Sequence, residues 1–431
     1  MIAAVAVGFL MLAMAYFWQR QMELPFRLPV WMFTVSVVYY GPMAYWYWFD
    51  YSDGVFLKVD WNFMSGRLLV AYLLVAAAFF PLYAAVLYVI GRSKRLNPGT
   101  FFVFDRAAPQ RARMVSVSWM MTVIGMIAGA YVVAKGGKLG EVGVAGALTD
   151  DPALLIMYQI SDLPIAAFLF ILAIGMLNAR WIFALVLYAG YVIYVGLRYK
   201  LILLFLPIFF VLYFSKDKQG RPANRLWLNI SVVAIFVLLS LMTIARKKFS
   251  GFDTDAVADA QFDDLMYSMF AEGNIIFGLA STFAYFDFPS SHVGFQPVVD
   301  SIVQFVPRFL YPNKDLYRHL QLVAEGLGNS TDAINSATSQ PFFAEYYMMF
   351  GVPGVIAGLL LYAISVGALI RSVWRAATTE REMMTGVALI AVYFCYYYFS
   401  RGSMAQMIKG VVFVIIPYIY LLQSRINFEN R

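Results

Sequence analysis

The sequence predicts an all-α polytopic membrane protein, with about eleven transmembrane helices and one large outer loop. Two compositional facts point there: hydrophobic residues make up 62% of the 431, and Asp, Glu, Lys and Arg only 13%, where a soluble domain carries about one quarter charged residues. The third is the arrangement. The hydrophobicity, with a mean hydropathy of +0.70, comes in blocks long enough to cross roughly 30 Å of hydrocarbon at about 1.5 Å per residue. Short polar turns separate the blocks, and in lipid a spanning segment of this kind must satisfy its own backbone as a helix.

Taken in order, the first block covers residues 2–18; it lacks the basic start and small-residue cleavage site of a secretory signal, so it reads as a retained helix. Helices at 28–49 and 67–90 follow, with Arg20 and Arg27 in the turn before the second. The fourth, 114–134, comes after a basic turn holding Arg92, Lys94, Arg95, Arg106, Arg111 and Arg113. The fifth, 157–177, is interrupted by Asp162 and Pro164. Either Asp162 caps a shortened helix with Pro164 in its first turn, or the segment is a broken helix lining a cavity. Helices at 180–196 and 199–215 are joined by Gly196-Leu197-Arg198-Tyr199-Lys200, and a basic turn with Lys216, Lys218, Arg221 and Arg225 leads to 226–245. The last three helices are 342–370, 383–400 and 405–423, with Arg371, Arg375 and Arg381 before the tenth.

Lysine and arginine concentrate on the cytoplasmic side of membrane proteins. The two most basic turns are therefore internal, every second connection is internal, the N-terminus lies outside and the C-terminus inside. This distribution explains the net charge of +7 without nucleic acid, because no single soluble face collects the cations. The chain divides into helices 1–8 over residues 1–245, an outer loop over 246–341 and helices 9–11 over 342–431. The loop has a different composition, rich in acids such as Asp253, Asp259, Asp264, Glu272 and Glu325, with helical periodicity at 256–270 and 315–326. A connection this long is usually functional.

Against that orientation, Arg198, Lys200, Arg246, Arg401 and Lys409 stand at the outer ends of helices. Cations near hydrocarbon must snorkel, pair or face water. Three separate outer turns deliver Arg198, Lys200, Arg246 and Arg401 to one depth, with Lys409 about 12 Å deeper along an unbroken helix, and a diphosphate at the headgroup level would satisfy them, since guanidinium offers paired donors to phosphate oxygens. No Gly-rich phosphate loop, nucleophilic triad or His-Glu motif is present. One cysteine, Cys395, and two histidines leave neither a disulfide framework nor a His-based metal centre, and no metal or cofactor is expected.

Glu345 opens the ninth helix at the depth of the outer cations, where a carboxylate favours a helix N-terminus. It is read as a general base for an attacking hydroxyl or as a counter-ion orienting an arginine. His319 is a second candidate base, and Arg308 and Arg318 are loop cations able to approach the same site. Trp46, Trp48, Tyr51 and Trp61 flank the first outer turn as an interfacial belt or as stacking surfaces for sugar rings.

Two stretches carry a family resemblance: Val306-Pro307-Arg308-Phe309-Leu310-Tyr311-Pro312, and Thr338-Ser339-Gln340-Pro341 leading through Glu345 to Phe350-Gly351-Val352-Pro353-Gly354. With Gly196 to Lys200 and Arg401-Gly402, they resemble the Wzy-type polymerases of bacterial O-antigen and capsule repeat units. The Arg-x10-Gly spacing of some members is absent, as neither Arg198 nor Arg308 has glycine eleven residues on. The resemblance implies a GT-C-like glycosyltransferase of the bacterial inner membrane acting on undecaprenyl-diphosphate-linked oligosaccharides. Arg198, Lys200, Arg246, Arg401 and Lys409 would hold diphosphate, Arg308 and Arg318 would hold substrate, and Glu345 or His319 would be catalytic. It further implies a flippase and a chain-length regulator of the same pathway as partners. The alternatives are an O-antigen ligase, and a transporter or flippase for an anionic lipid or polysaccharide.

Overall fold

The structure is a computed structural model, and it describes residues 2–22, 24–38, 82–91, 109–136, 152–195, 198–214, 282, 292–303, 306, 342–377, 379–399 and 404–429. Among the described residues every regular element is helical. Among the same described residues, four stretches are long and apolar enough to cross a membrane: Ala112–Lys135, Ile156–Ala173, Ala344–Ala376 and Met407–Ser424. The expected helix at 226–245, most of that at 67–90 and the periodic loop segments 256–270 and 315–326 lie outside the described residues, as do Trp46, Trp48, Tyr51 and Trp61.

The chain folds as two compact units that alternate along the sequence. The first comprises Met1–Arg95, Phe270–Ala368 and Phe394–Ile408. Its helices include α1 (Ile2–Gln19), α2 (Leu24–Val38) and α3 (Leu82–Gly91). Arg27 closes the α1–α2 turn by donating from Nε to the Met22 carbonyl at 2.8 Å. A ladder of rings then ties the unit together: Phe33 stacks on Tyr83 at 4.3 Å, Tyr83 meets Tyr362 at 5.9 Å, and Tyr362 meets Phe394 edge-on at 5.3 Å. Aromatic pairs at such spacing add to the area they bury. Phe9, Leu10 and Phe17 on α1 are exposed, as side chains facing lipid would be.

The second unit comprises Leu96–Met269, Leu369–Tyr393 and Lys409–Arg431. It contains α4 (Pro109–Gly136), α5 (Pro152–Ile160), α6 (Leu163–Ala173), α7 (Ala179–Val195) and α8 (Arg198–Phe214). Every residue of α6 from Pro164 to Ala173 is buried, as expected of a helix apolar on all faces. It packs against α4 and α8. On α7, Trp181, Ala184, Tyr188, Val192 and Val195 form a buried stripe at helical spacing, with Trp181 stacked on Trp119 at 4.2 Å. The opposite face shows Ile182, Phe183, Val186 and Leu187 exposed. A helix apolar on its outer face as well belongs in hydrocarbon.

Helix α6 ends in a Schellman turn: Gly175, at φ 69°, donates to the Leu172 carbonyl at 3.1 Å and Met176 donates to that of Ile171 at 3.0 Å. Asn178 then caps α7, its side-chain oxygen accepting from the backbone of Arg180 at 3.1 Å and Trp181 at 3.2 Å. A short helix inside the large loop, α9 (Gln296–Val303), is an element that sequence periodicity does not announce. The chain closes with α10 (Phe342–Ala376), α11 (Glu380–Phe399), α12 (Met404–Gly410), a π-helical turn at Val411–Ile415, and α13 (Ile416–Glu429).

Two expected helices are broken. The stretch 157–177 is helical on both sides of Ser161-Asp162, as α5 and α6. The stretch 342–370 was expected as one helix, but Phe350 (φ −148°, ψ 20°) and Gly351 (φ 64°, ψ −146°) leave the helical region inside α10. The physical reason in the second case is a glycine in a region essentially closed to residues with a Cβ, followed by Pro353, which restarts a helix readily in its first turn.

Candidate functional site

Glu345 sits on the short N-terminal piece of α10, before the break. Only 2% of its surface is exposed. Its Oε2 accepts the backbone N–H of Met404 at 2.5 Å. Met404 is the first residue of α12, and the first N–H groups of a helix have no partner within it. The carboxylate therefore caps another helix, where the dipole favours negative charge. In sequence, that helix is preceded by Ser400-Arg401-Gly402-Ser403.

The break explains how Glu345 is held. In a straight helix residues 346 and 358 would be about 18 Å apart. Instead, a Cβ on Gly358 would lie 2.1 Å from the Tyr346 ring, and one on Gly354 would lie 2.2 Å from the Tyr346 carbonyl oxygen. The chain thus reverses at 350–351, and Phe342–Met349 lies back on the Gly354–Gly358 face. Part of the large loop seals the reversal. Val293 donates from its backbone to the Met348 carbonyl at 2.9 Å, one of those that the break strips of its helical partner. His292 meets Tyr347 edge-on at 6.1 Å, and Phe295 meets Phe350 at 4.9 Å. His292, not singled out by sequence, is the described histidine at this hinge.

A second polar cluster lies within the other unit, at the break between α5 and α6. Lys200 is fully buried and its Nζ is 2.5 Å from Asp162 Oδ1. The same ammonium donates to Ser161 Oγ at 3.0 Å and stands 4.2 Å from the centre of the Tyr158 ring. Tyr191 donates its hydroxyl to Ser161 Oγ at 3.1 Å, and Ser161 donates to the Tyr158 carbonyl at 2.6 Å. Asp162 occupies the N-cap position of α6, with Pro164 in the first turn, but its side chain makes no capping bond. It spends its charge on Lys200.

The chain matches no family model, no curated protein and no solved structure. What the site can do therefore rests on its own chemistry.

Of the outer cations read from sequence, Lys200 is matched by Asp162 inside the second unit, and Lys409 is half-buried in the last turn of α12. The π-helical turn starts two residues after Lys409, and such turns recur at functional sites. Arg198 is the first residue of α8, with its side chain outside the described residues. Arg246, Arg308, Arg318, His319 and Arg401 lie wholly outside them. Among the described residues no group of three His, Cys, Asp or Glu is placed to hold a metal ion. The two described clusters are thus a carboxylate that caps a helix and an ion pair at a helix break. A search for acids and bases at apolar positions finds Glu345, Asp162 and Lys200; no sequence signal tells which of them meet.

Proposed function

We propose that the chain is a membrane glycosyltransferase that polymerises undecaprenyl-diphosphate-linked oligosaccharide repeat units on the outer face of the bacterial inner membrane, in a GT-C-like arrangement of about eleven spans. The observation that supports this reading is Glu345: a carboxylate almost wholly withdrawn from solvent, bound to the first N–H of the helix that Arg401 precedes by three residues. The large loop, read as outer from the placement of lysine and arginine, reaches the same hinge through Val293.

In the proposed reaction a hydroxyl of the incoming repeat unit attacks the anomeric carbon of the growing glycan. The bond from that carbon to the lipid diphosphate breaks, and its electrons pass to the diphosphate oxygen. Arg198, Arg246 and Arg401, with Lys409, stabilise the charge that grows there, as preorganised cations do in a poorly hydrated site. Glu345 takes the hydroxyl proton, or its negative charge orients an arginine as a counter-ion. Neither nucleotide sugar nor metal enters the step. A flippase supplying the lipid-linked unit and a chain-length regulator are the expected partners.

Purified protein incubated with one lipid-linked repeat unit tests the reading directly. The expected products are a ladder of oligomers and free lipid diphosphate in equal proportion to the bonds made. A single transfer to lipid A core, with no ladder, would instead make the chain a ligase. The broken span at Asp162 and Lys200 favours a second reading, transport of an anionic lipid, because discontinuous helices with intramembrane charges line many transport pathways. Movement of the lipid-linked unit across vesicles without any ladder is the outcome that reading expects.

A further inference from the structure

The second unit holds a half-open cavity of about 340 Å³ at the end of α6 where the chain turns into α7. Its walls are Phe168, Leu172, Leu185, Phe205 and Ile208, from three helices, and one cation, Arg381, completes the lining. That size is within the usual range for a small-molecule site, and a mostly apolar wall with one polar group is its usual character.

Arg381 is the group that asks for a ligand. Its Nε is buried with no hydrogen-bond partner among the described residues, and burial holds the guanidinium below the usual arginine range. The neighbouring acid Glu382 is otherwise engaged: its Oε2 accepts the Thr379 N–H at 3.3 Å while its own N–H donates to Thr379 Oγ1 at 3.2 Å, a reciprocal cap on α11. Glu380 is exposed. A cation in the first turn of α11 also opposes the helix dipole. Gly175 lies beside the guanidinium: a Cβ there would stand 3.8 Å from it, at ordinary contact distance. Arg180 and Arg375, both exposed, lie next to these turns in the chain, on the side that lysine and arginine placement reads as cytoplasmic.

We propose that this cavity holds one acyl chain of an anionic phospholipid, with the lipid phosphate on Arg381. Apolar walls take the hydrocarbon, and the unpartnered guanidinium takes the phosphate with paired donors. Basic pockets between helices on the cytoplasmic side suit such headgroups. The proposal is independent of the polymerase reading and needs no activity to test.

The full chain, purified and delipidated in neutral detergent, is reloaded with phosphatidylglycerol, phosphatidylcholine or inorganic phosphate, and bound molecules are counted by native mass spectrometry. One phosphatidylglycerol per chain is expected, held about tenfold more tightly than phosphatidylcholine, whose own choline cation competes with the guanidinium for its phosphate. Arg381→Gln and the cavity-filling Leu185→Trp should each weaken retention by about the same factor. Arg180→Gln should leave it unchanged. Should Arg381→Gln fail to fold, Leu185→Trp decides alone. Equal retention of phosphatidylcholine, unchanged retention in a folded Arg381→Gln or Leu185→Trp variant, or binding of inorganic phosphate without lipid would each overturn the proposal.

Discussion

At the scale of single residues, the ion pair of Lys200 and Asp162 shows what a charge inside a membrane helix requires. Its ammonium has a carboxylate at 2.5 Å, a hydroxyl at 3.0 Å and an aromatic face at 4.2 Å. Removing one partner strands the other, at a cost of about 3–5 kcal/mol. Lys200→Met and Asp162→Leu should therefore each lower the melting temperature in detergent sharply. The double variant Lys200→Met/Asp162→Leu should recover most of the loss, because an apolar pair of similar volume can replace a buried ion pair. If the double variant is as unstable as the sum of the singles, the two residues are not coupled. This pairing supplies what a lysine beside an apolar helix requires: thirty-eight positions away in sequence, Asp162 is the anion that it answers to. Sequence alone marks both residues as costly; which partner each has depends on how α5, α6 and α8 pack.

Among the elements, α10 carries the most consequence. Gly351 adopts φ 64° and ψ −146°, a region essentially limited to glycine, where another residue costs about 1–3 kcal/mol. Gly358 gives its face to the Tyr346 ring, so that a methyl group there forces the ring off, an overpacking worth about 1–3 kcal/mol. Gly351→Ala and Gly358→Ala should each destabilise the protein by such an amount in thermal unfolding, whereas Gly190→Ala, in open space on α7, should be neutral or stabilising. An unaffected Gly358→Ala variant would mean that the helix does not reverse. The boundaries of α7 and α8 are legible in sequence because charged or glycine-bearing turns bracket each apolar block, whereas α4 starts five residues before its apolar block, at Pro109. The reversal at 350–351 is not, since the apolar run continues through it and hydropathy carries no information about backbone direction. Helix α9 escapes for a related reason: eight residues opening with Gln296-Pro297 are too few to show a period.

For the whole molecule, the cation distribution makes a claim about topology that a labelling experiment reads directly. Cys395 is the single cysteine and is buried, so Cys395→Ala gives a background free of native thiols. In intact cells, Asp259→Cys in the large loop should react with a membrane-impermeant maleimide and Ala223→Cys, in the turn 216–225, should not. Reaction at position 223 but not 259 would invert the orientation. The helical class is legible from composition, and so are the long apolar stretches of the described residues. The division into two units is not, because each draws on three separate stretches of chain, brought together by contacts that one sequence does not show.

The central claim is that Glu345 serves chemistry on a lipid diphosphate and not folding alone. Glu345→Gln isolates that claim, since the amide oxygen still accepts the Met404 N–H while the negative charge and the basicity are lost. The deciding measurement is the oligomer ladder made from a lipid-linked repeat unit by Glu345→Gln protein whose melting temperature matches that of the native chain. The account predicts no ladder, with substrate still bound through the cations. A ladder of native rate and length from that variant would contradict it.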